Sequence, residues 1–322
     1  MCPNTNGMKR LPDNAPMSRI NFPKDITLFE RGWLSSNSIL ITGSEHNTLI
    51  DSGYATHAVQ TLALIKTALQ GRPLDVLINT HLHSDHCGGN ATLQAHYPEL
   101  QTLIPPGHAN LVADWDAYAL SYTPTGQLCE RFCFSTTLQP GTEIELGQQL
   151  WQIHAAPGHD THSVILFEPT SRLLISADAL WENGFGVVFP ELDGLDAFNE
   201  VAQTLDLIES LRPTLIIPGH GGAFTDVNEA LARARKRLNG FVQDPEKHIR
   251  YAAKVLIKFK LLEIQRIQFE ELLAWANATD LVTHLHKFLA SDTTLESWID
   301  TVVNELVHAG AARREPAMVL NI

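Results

Sequence analysis

His81-Leu82-His83-Ser84-Asp85-His86 holds three imidazoles and a carboxylate in the pattern His-x-His-x-Asp-His. It directly follows the apolar run Val76-Leu77-Ile78-Asn79, so the loop that carries it leaves the end of a buried strand. Alternate side chains there project to one side, and imidazoles at i and i+2 can reach a single cation. The turn that follows can carry Asp85 and His86 toward a second cation. Imidazole suits zinc, and imidazole with carboxylate also suits iron or manganese. The alternative is a polar loop that holds three histidines by chance, and so dense a ligand set at a strand end makes it improbable. Gly88-Gly89 should let the backbone pass close to the metals and start the next helix without side-chain conflict.

Four residues rarely complete two metal sites, so further ligands are expected downstream, also at strand ends. His159 follows the run Trp151-Gln152-Ile153-His154, in the turn Ala156-Pro157-Gly158-His159. Asp178 follows Leu173-Leu174-Ile175-Ser176-Ala177, and His220 sits in Pro218-Gly219-His220-Gly221-Gly222. A histidine after a strand is more often a hydrogen-bonded loop residue. Three ligand-type residues in equivalent places shift that balance toward a shared site.

The elements that must position these residues are short. β-Branched runs predict strands at 38–42, 47–50, 76–79, 102–104, 151–154, 164–167, 173–176 and 215–217. Helical spacing predicts a helix over 56–69, stopped by Gly71-Arg72-Pro73, and another from an Asp196 N-cap to about 210. Strand pairs mixed with single helices indicate an α+β or layered α/β domain, with sheets covered by helices. From 226 the pattern is helical, with a break near Asp244-Pro245. Shorter helices follow near 269–276, 280–290 and 294–309, then a terminal hairpin or strand over 313–322. The expected organisation is a flexible leader (1–20), a catalytic domain (21–225) and a helical C-terminal region (226–322).

Composition narrows the class. Hydrophobic residues make up 44% and charged residues 18%, enough for a substantial core. No apolar run approaches the ~18 residues of a membrane span, and the polar, proline-broken first twenty residues do not read as a secretory signal. Cys2, Cys87, Cys129 and Cys133 are too few and too irregular for a disulfide framework, so the expected compartment is the cytoplasm. A net charge of −13 argues against nucleic-acid binding by overall charge. Leu231–Lys260 nevertheless carries nine basic residues against Asp244 and Glu246. A solvated helix face explains this; a basic rim that attracts an anionic substrate is the sharper alternative.

The series His81, His83, Asp85, His86, His159, Asp178 and His220, in that order, resembles the metallo-β-lactamase superfamily over roughly residues 28–225. The resemblance implies an αβ/βα four-layer sandwich with two divalent cations at one edge, zinc first and iron or manganese as alternatives. It implies that His81, His83 and His159 hold one cation, that Asp85, His86 and His220 hold the other, and that Asp178 bridges both. It further implies that Asp51, in Leu49-Ile50-Asp51-Ser52-Gly53, supports the metal loop from behind. Two cations roughly 3.5–4 Å apart would generate a bridging hydroxide near neutral pH, with Asp85 as its hydrogen-bond acceptor.

The turn after His159 departs from the family's Thr-Pro-Gly-Ser-like text. It reads Asp160-Thr161-His162-Ser163 and adds an imidazole, His162, as a substrate donor or a turn hydrogen bond; His154 and His108 are weaker candidates. The C-terminal region is similar to the winged-helix-like tail of the lactamase-beta-like branch, although His248-Ile249-Arg250 lacks that branch's His-Arg-x-x-Arg-Glu pattern. The expected activity is hydrolysis of a small thioester or ester, as in hydroxyacylglutathione hydrolases. The alternatives are a lactonase, a single-strand endoribonuclease with RNA as its partner, and a non-enzymatic winged-helix module that binds nucleic acid. The tail's apolar stripe (Leu272, Leu285, Trp298, Val302 and others) is expected to pack as core, or against a second subunit in a homodimer.

Overall fold

The computed structural model describes residues 22–322, and the expected leader at 1–20 lies outside the described residues. Strands β1 (Ile26–Phe29), β2 (Ser38–Thr42), β3 (Asn47–Ile50), β4 (Val76–Ile78), β5 (Gln101–Ile104) and β6 (Thr136–Thr137) lie side by side in that order as one sheet. Strands β7 (Glu143–Leu146), β8 (Gln149–Ala155), β9 (Val164–Glu168), β10 (Leu173–Ala177) and β11 (Leu215–Pro218) form a second, in the order β11-β10-β9-β8-β7. All eight expected strands are present. β1, β6 and β7 were not expected, because they are short or carry charge at alternate positions, as in Glu143-Ile144-Glu145-Leu146.

Side-chain alternation packs the sheets face to face. Ile39 and Ile41 of β2, Ile50 of β3 and Ile78 of β4 share one cluster with Ile153, Leu166, Ile175 and Ile217 of the second sheet. The intervening residues Leu40, Leu49 and Leu77 point the opposite way. They meet Ile65 and Leu69 of α1 (Ala58–Leu69) and, beyond the short α2 (Ser84–Cys87), Leu93 of α3 (Asn90–His96). Both faces are thus covered, which is why these strands read as continuous apolar runs.

The chain next forms α4 (Ala109–Asp114), α5 (Tyr122–Thr125) and α6 (Phe189–Leu192), all short, and then α7 (Phe198–Leu211) and α8 (Val227–Gln243). Val201, Leu205 and Ile208 of α7, with Ala230, Leu231 and Ala234 of α8, cover Ile165, Leu174 and Ile216 on the outer face of the second sheet. The result is the expected four-layer α/β/β/α sandwich. α8 packs into it, although sequence placed that helix in the C-terminal region. The start of α7 corrects one expectation: Asp196 does not cap it. Glu191 Oε2 accepts from the backbone N–H groups of Ala197 and Phe198 at 2.8 and 3.0 Å, while Asp196 accepts only from the Asn199 side chain.

Pro245 starts α9 (Pro245–Ile264) where the break was expected. It is followed by β12 (Arg266–Gln268), α10 (Phe269–Ala278), α11 (Asp280–Leu289), α12 (Leu295–His308) and the hairpin β13 (Ala312–Glu315) and β14 (Met318–Asn321). β14 lies between β12 and β13, so the terminal hairpin closes back onto the strand after α9, in a winged-helix-like arrangement. The tail's stripe packs as core: Leu272, Leu285, Trp298 and Val302 bury against Ala253, Leu256 and Ile257 of α9. Phe288 stays exposed. No helix among the described residues is long and apolar enough to cross a membrane.

Topology explains where the chemistry gathers. β3, β4, β5 and β6 run parallel, as do β10 and β11. Asp51, His81, Asp178 and His220 all lie just beyond carboxyl ends of these parallel strands, where the crossovers leave a crevice at one edge of the sandwich.

Candidate metal centre

The structure brings all seven expected ligands together at that edge. Suitable donor atoms of His81, His83 and His159 lie within 4.8 Å of one another, as do those of Asp85, His86 and His220, and of His81, His86 and Asp178. Asp178 faces both histidine sets: its Oδ1 lies 3.4 Å from His86 Nε2, and its Oδ2 lies 3.4 Å from His159 Nε2 and 3.8 Å from His220 Nε2. In the first set, His83 Nδ1 approaches His81 Nε2 at 3.1 Å and His159 Nε2 at 2.8 Å. In the second, His220 Nε2 lies 3.0 Å from Asp85 Oδ2.

Two backbone distortions aim the carboxylates. Asp51 and Ala177 have φ of 58° and 46°, left-handed conformations that non-glycine residues adopt at a cost. At Ala177 the β10–β11 register shifts, and this bulge turns the next residue, Asp178, into the crevice. There Trp181 Nε1–H donates to Asp178 Oδ1 at 3.1 Å. Asp51 sits behind the metal loop, as expected. Its Oδ1 accepts from the Thr80 N–H at 2.9 Å, and its Oδ2 from Thr80 Oγ1 and His86 Nδ1, both at 2.8 Å. With the Nδ1 proton held there, His86 presents Nε2 to the crevice. His159 is set in the same way, its Nδ1 donating to the Val187 carbonyl at 2.5 Å.

Two glycines make room for the ligands. A Cβ on Gly219 would meet Asp178 Oδ1 at 2.1 Å, and one on Gly186 would meet His159 Nδ1 at 2.3 Å. For Gly88-Gly89 the expected helix start holds, with Gly89 the N-cap of α3, but the expected approach to the metals is corrected. They pass close to the chain after β3 rather than to the centre: a Cβ on Gly88 would meet Ala55 N at 2.5 Å, and one on Gly89 the Ser52 carbonyl oxygen at 2.5 Å. The loop before β2 clasps both ligand loops. Ser36 N–H donates to the Asp85 carbonyl at 2.9 Å and Asn37 N–H to the Gly219 carbonyl at 2.6 Å. Sequence reading did not single out this loop, because polar residues before a strand carry no signal of their own.

The electrostatics suit a cation. Burial holds the His81 imidazole well below its ordinary pKa, and burial together with nearby His159 lowers His83 to about 4. Burial works to raise Asp85 and Asp178. For Asp85 the neighbouring His86 and His220 outweigh it, and for Asp178 His220 and His86 do, so both carboxyls lie below their usual range. His86 Nε2 is buried with no hydrogen-bond partner among the described residues, while Asp178 Oδ1 faces it. Burial works to lower His86, but the Asp51, Asp178 and Asp85 carboxylates outweigh it and hold its pKa well above the ordinary value, so the buried carboxylates draw positive charge into the crevice. The residues therefore fit divalent cations by number, type and direction.

Other candidates lie elsewhere. His162 packs edge-on against His108 at 4.5 Å and lies over Gly107, outside the crevice, with its backbone N–H donating to Asp160 Oδ1 at 2.8 Å. Asp160 is the member of that turn nearest the centre, 3.9 Å from His83 Nε2. His154 lies on β8, away from the crevice. Cys87 is fully buried beside Tyr122 Oη and Cys129 Sγ, and burial pushes its thiol pKa up, as befits a packed side chain rather than a nucleophile.

A cavity of about 410 Å³ opens onto the cluster, in the range of small-molecule sites. Its floor includes His83, Asp85, His159, Asp178 and His220, and one wall comes from α9 and α12. At the rim the exposed Trp33 stacks on His220, with ring centres 5.4 Å apart.

Sequence and fold comparisons agree with this geometry. Over 149 residues the chain is 28% identical to a hydroxyacylglutathione hydrolase of Thermosynechococcus vestitus, covering 46% of this chain and 48% of that protein. It is 24% identical over 207 residues to the human acyl-coenzyme A thioesterase MBLAC2, covering 59% and 74%. It therefore spans about half the length of the first relative and about three quarters of the second. Among solved structures, the metallo-beta-lactamase family protein TTHA1429 of Thermus thermophilus superposes with a TM-score of 0.56 at 16% identity, over 92% of this chain and 99% of that one. TTHA1623, solved in a di-iron-bound form, gives a TM-score of 0.52 at 25% identity, over 65% and 98%. The family model for the metallo-beta-lactamase superfamily matches residues 31–220, more than half of the sequence, and the chain belongs to that superfamily.

Proposed function

We propose that the protein is a hydrolase of small thioesters or esters that works with two divalent cations. The observation that carries the reading is Asp178, whose two carboxylate oxygens face the two histidine sets at once. In this reading His81, His83 and His159 hold one cation, Asp85, His86 and His220 the other, and Asp178 both. When bound, such a pair supplies a hydroxide nucleophile near neutral pH and polarises the scissile carbonyl. Zinc is the proposed metal, with iron or manganese as the alternatives that this mixed imidazole and carboxylate set also suits.

The chain's own residues do the rest. Asp85 is ionised at neutral pH and lines the cavity, and its Oδ2 is engaged by His220. Its other oxygen, Oδ1, would accept a hydrogen bond from the nucleophile and so orient it. Asp51 and the Val187 carbonyl keep His86 and His159 in the tautomers that turn Nε2 toward the centre. Trp33 and Trp181 limit water at the rim. The named activities of the two relatives, on hydroxyacylglutathione and acyl-coenzyme A, support a thioester. The use made of the basic segment supports a small molecule over RNA. Arg235 pairs with Asp206 and Glu209, Lys254 with Glu305 and Lys260 with Glu263, while Arg233 and Arg237 donate to backbone carbonyls.

The test is elemental analysis of gently purified protein together with a panel of S-acyl thioesters, esters, lactones and single-stranded RNA. Fewer than about one metal per chain, or cleavage of RNA alone, would overturn the reading. Asp85→Asn should lower turnover by about 10²–10⁴-fold with the fold retained.

A further inference from the structure

The wall that α9 and α12 place over the centre is apolar. Val255, Phe259 and Leu262 of α9, Leu306 of α12 and Phe189 of α6 line the cavity within the same enclosure as Asp85 and Asp178. Two lysines also reach it, Lys254 and Lys258. Both are already engaged by the protein. Lys258 Nζ donates to the Ala311 carbonyl at 2.6 Å, Asn321 Oδ1 at 2.5 Å and the Ile322 carbonyl at 2.9 Å, which uses all three of its protons. Lys254 Nζ is paired with Glu305 Oε2 at 3.3 Å. Beyond the metal-centre residues, the other polar side chains of the lining include Ser121, Thr125, Gln127 and Tyr251, all uncharged.

A phosphate, a carboxylate or a peptide-like thiol carrier seated against Val255, Phe259 and Leu262 would leave its charges or polar groups facing aliphatic and aromatic carbon, at a desolvation cost that lysines already bonded elsewhere repay poorly. An aliphatic acyl chain has no such cost and gains from each methylene removed from water. We propose that this wall is the acyl subsite: the uncharged, apolar acyl group of the substrate lies against Val255, Phe259 and Leu262, and the polar leaving group points outward past the rim. Leu262 and Phe259 then set chain-length preference. The inference rests on the hydrolase reading above and adds to it the chemical class of the acyl half.

Metal-loaded full-length protein would be assayed with N-acetylcysteamine thioesters, an uncharged leaving group, carrying acetyl, butyryl, hexanoyl and octanoyl chains. Burial of about 0.8 kcal/mol per methylene corresponds to roughly a fourfold rise in kcat/KM for each carbon added, until the wall is filled. The octanoyl-to-acetyl ratio, read within one protein, should fall at least tenfold in Leu262→Trp, which fills the subsite. Leu262→Gln, closer in volume, should lower the same ratio and keeps the test readable if the indole does not fit. Hydrolysis that is flat with chain length, and a ratio unmoved by either substitution, would overturn the subsite while leaving the hydrolase reading intact. If no thioester in the series is cleaved, the hydrolase reading falls. The subsite is then read from quenching of Trp33 and Trp181 fluorescence by the matching uncharged alkyl thioethers. Affinity that rises with chain length supports it, and affinity independent of length overturns it.

Discussion

His248, on the C-terminal helix α9, is joined to His159 of the candidate metal centre through two adjacent residues of the backbone. Its Nε2 accepts the buried Val188 N–H at 3.1 Å, and the Val187 carbonyl in turn accepts the Nδ1–H of His159 at 2.5 Å. The appendage is therefore tied mechanically to one of the proposed ligands. Replacing His248 by leucine leaves the Val188 N–H without its acceptor, at a cost of about 1–3 kcal/mol. We expect Tm to fall and metal affinity to weaken with it, because the carbonyl that orients His159 loses its anchor. A chelator competition run beside a thermal melt checks both, and an unchanged affinity would show that the tie does not reach the centre.

The same residue sets a pH dependence. Burial lowers the His248 pKa from its ordinary value to about 4, so it is neutral in the fold and must stay so to accept the Val188 N–H. Between about 4 and the ordinary histidine value near 6.5, the unfolded chain binds a proton that the folded chain does not. Stability from this group is therefore complete above about 6.5 and is lost as pH falls toward 4. Urea midpoints measured across that window should decline toward acid, and His248→Leu should reduce the slope. An identical slope in the variant would assign the acid sensitivity to other groups.

Asp51 is expected to act on metal affinity without touching the metal. It accepts from His86 Nδ1 and twice from Thr80, and so holds both the tautomer and the loop. Asp51→Ala should weaken metal binding by about 10–100-fold, the usual cost of losing such a support. Titration with a chromophoric chelator would measure it. A loss below about threefold would mean that Thr80 and the chain fix His86 unaided.

Much of this was legible in the sequence, for identifiable reasons. Strands buried on both faces are near-continuous apolar runs, so β2, β3, β4, β9, β10 and β11 stood out, and a ligand-type residue immediately beyond such a run is conspicuous. Asp178 and His220 follow from that rule; His81, His83, Asp85 and His86 stood out by their dense pattern after β4, and His159, beyond the half-exposed β8, by its Pro-Gly-His turn. What escaped was whatever depends on contacts distant in sequence. Glu191 rather than Asp196 caps α7, because the capping carboxylate comes from the preceding short helix. Gly88 and Gly89 answer to the backbone at 52–55, which no local pattern marks. Lys258 looked like part of a solvated basic face, yet its ammonium binds the C-terminal hairpin and turns its stem to the cavity.

Gly219 provides the sharpest separation of site from scaffold. An added methyl there would sit 2.1 Å from Asp178 Oδ1 and 3.0 Å from His86 Cε1, well inside contact distance of both. Asp178 cannot easily give way, since the bulge at Ala177 aims it and Trp181 Nε1 holds its Oδ1. Gly219→Ala should therefore displace the carboxylate shared by the two proposed cations, with bound metal falling from about two toward one per chain or fewer. Far-ultraviolet circular dichroism should stay native, because the methyl enters the crevice and not the core. Gly240→Ala is the matched control. It lies within α8 with nothing in reach of an added Cβ, so the same change should leave metal content alone and stabilise the helix by up to about 1 kcal/mol. Equal metal content in the two variants would show that Asp178 does not bridge the cations.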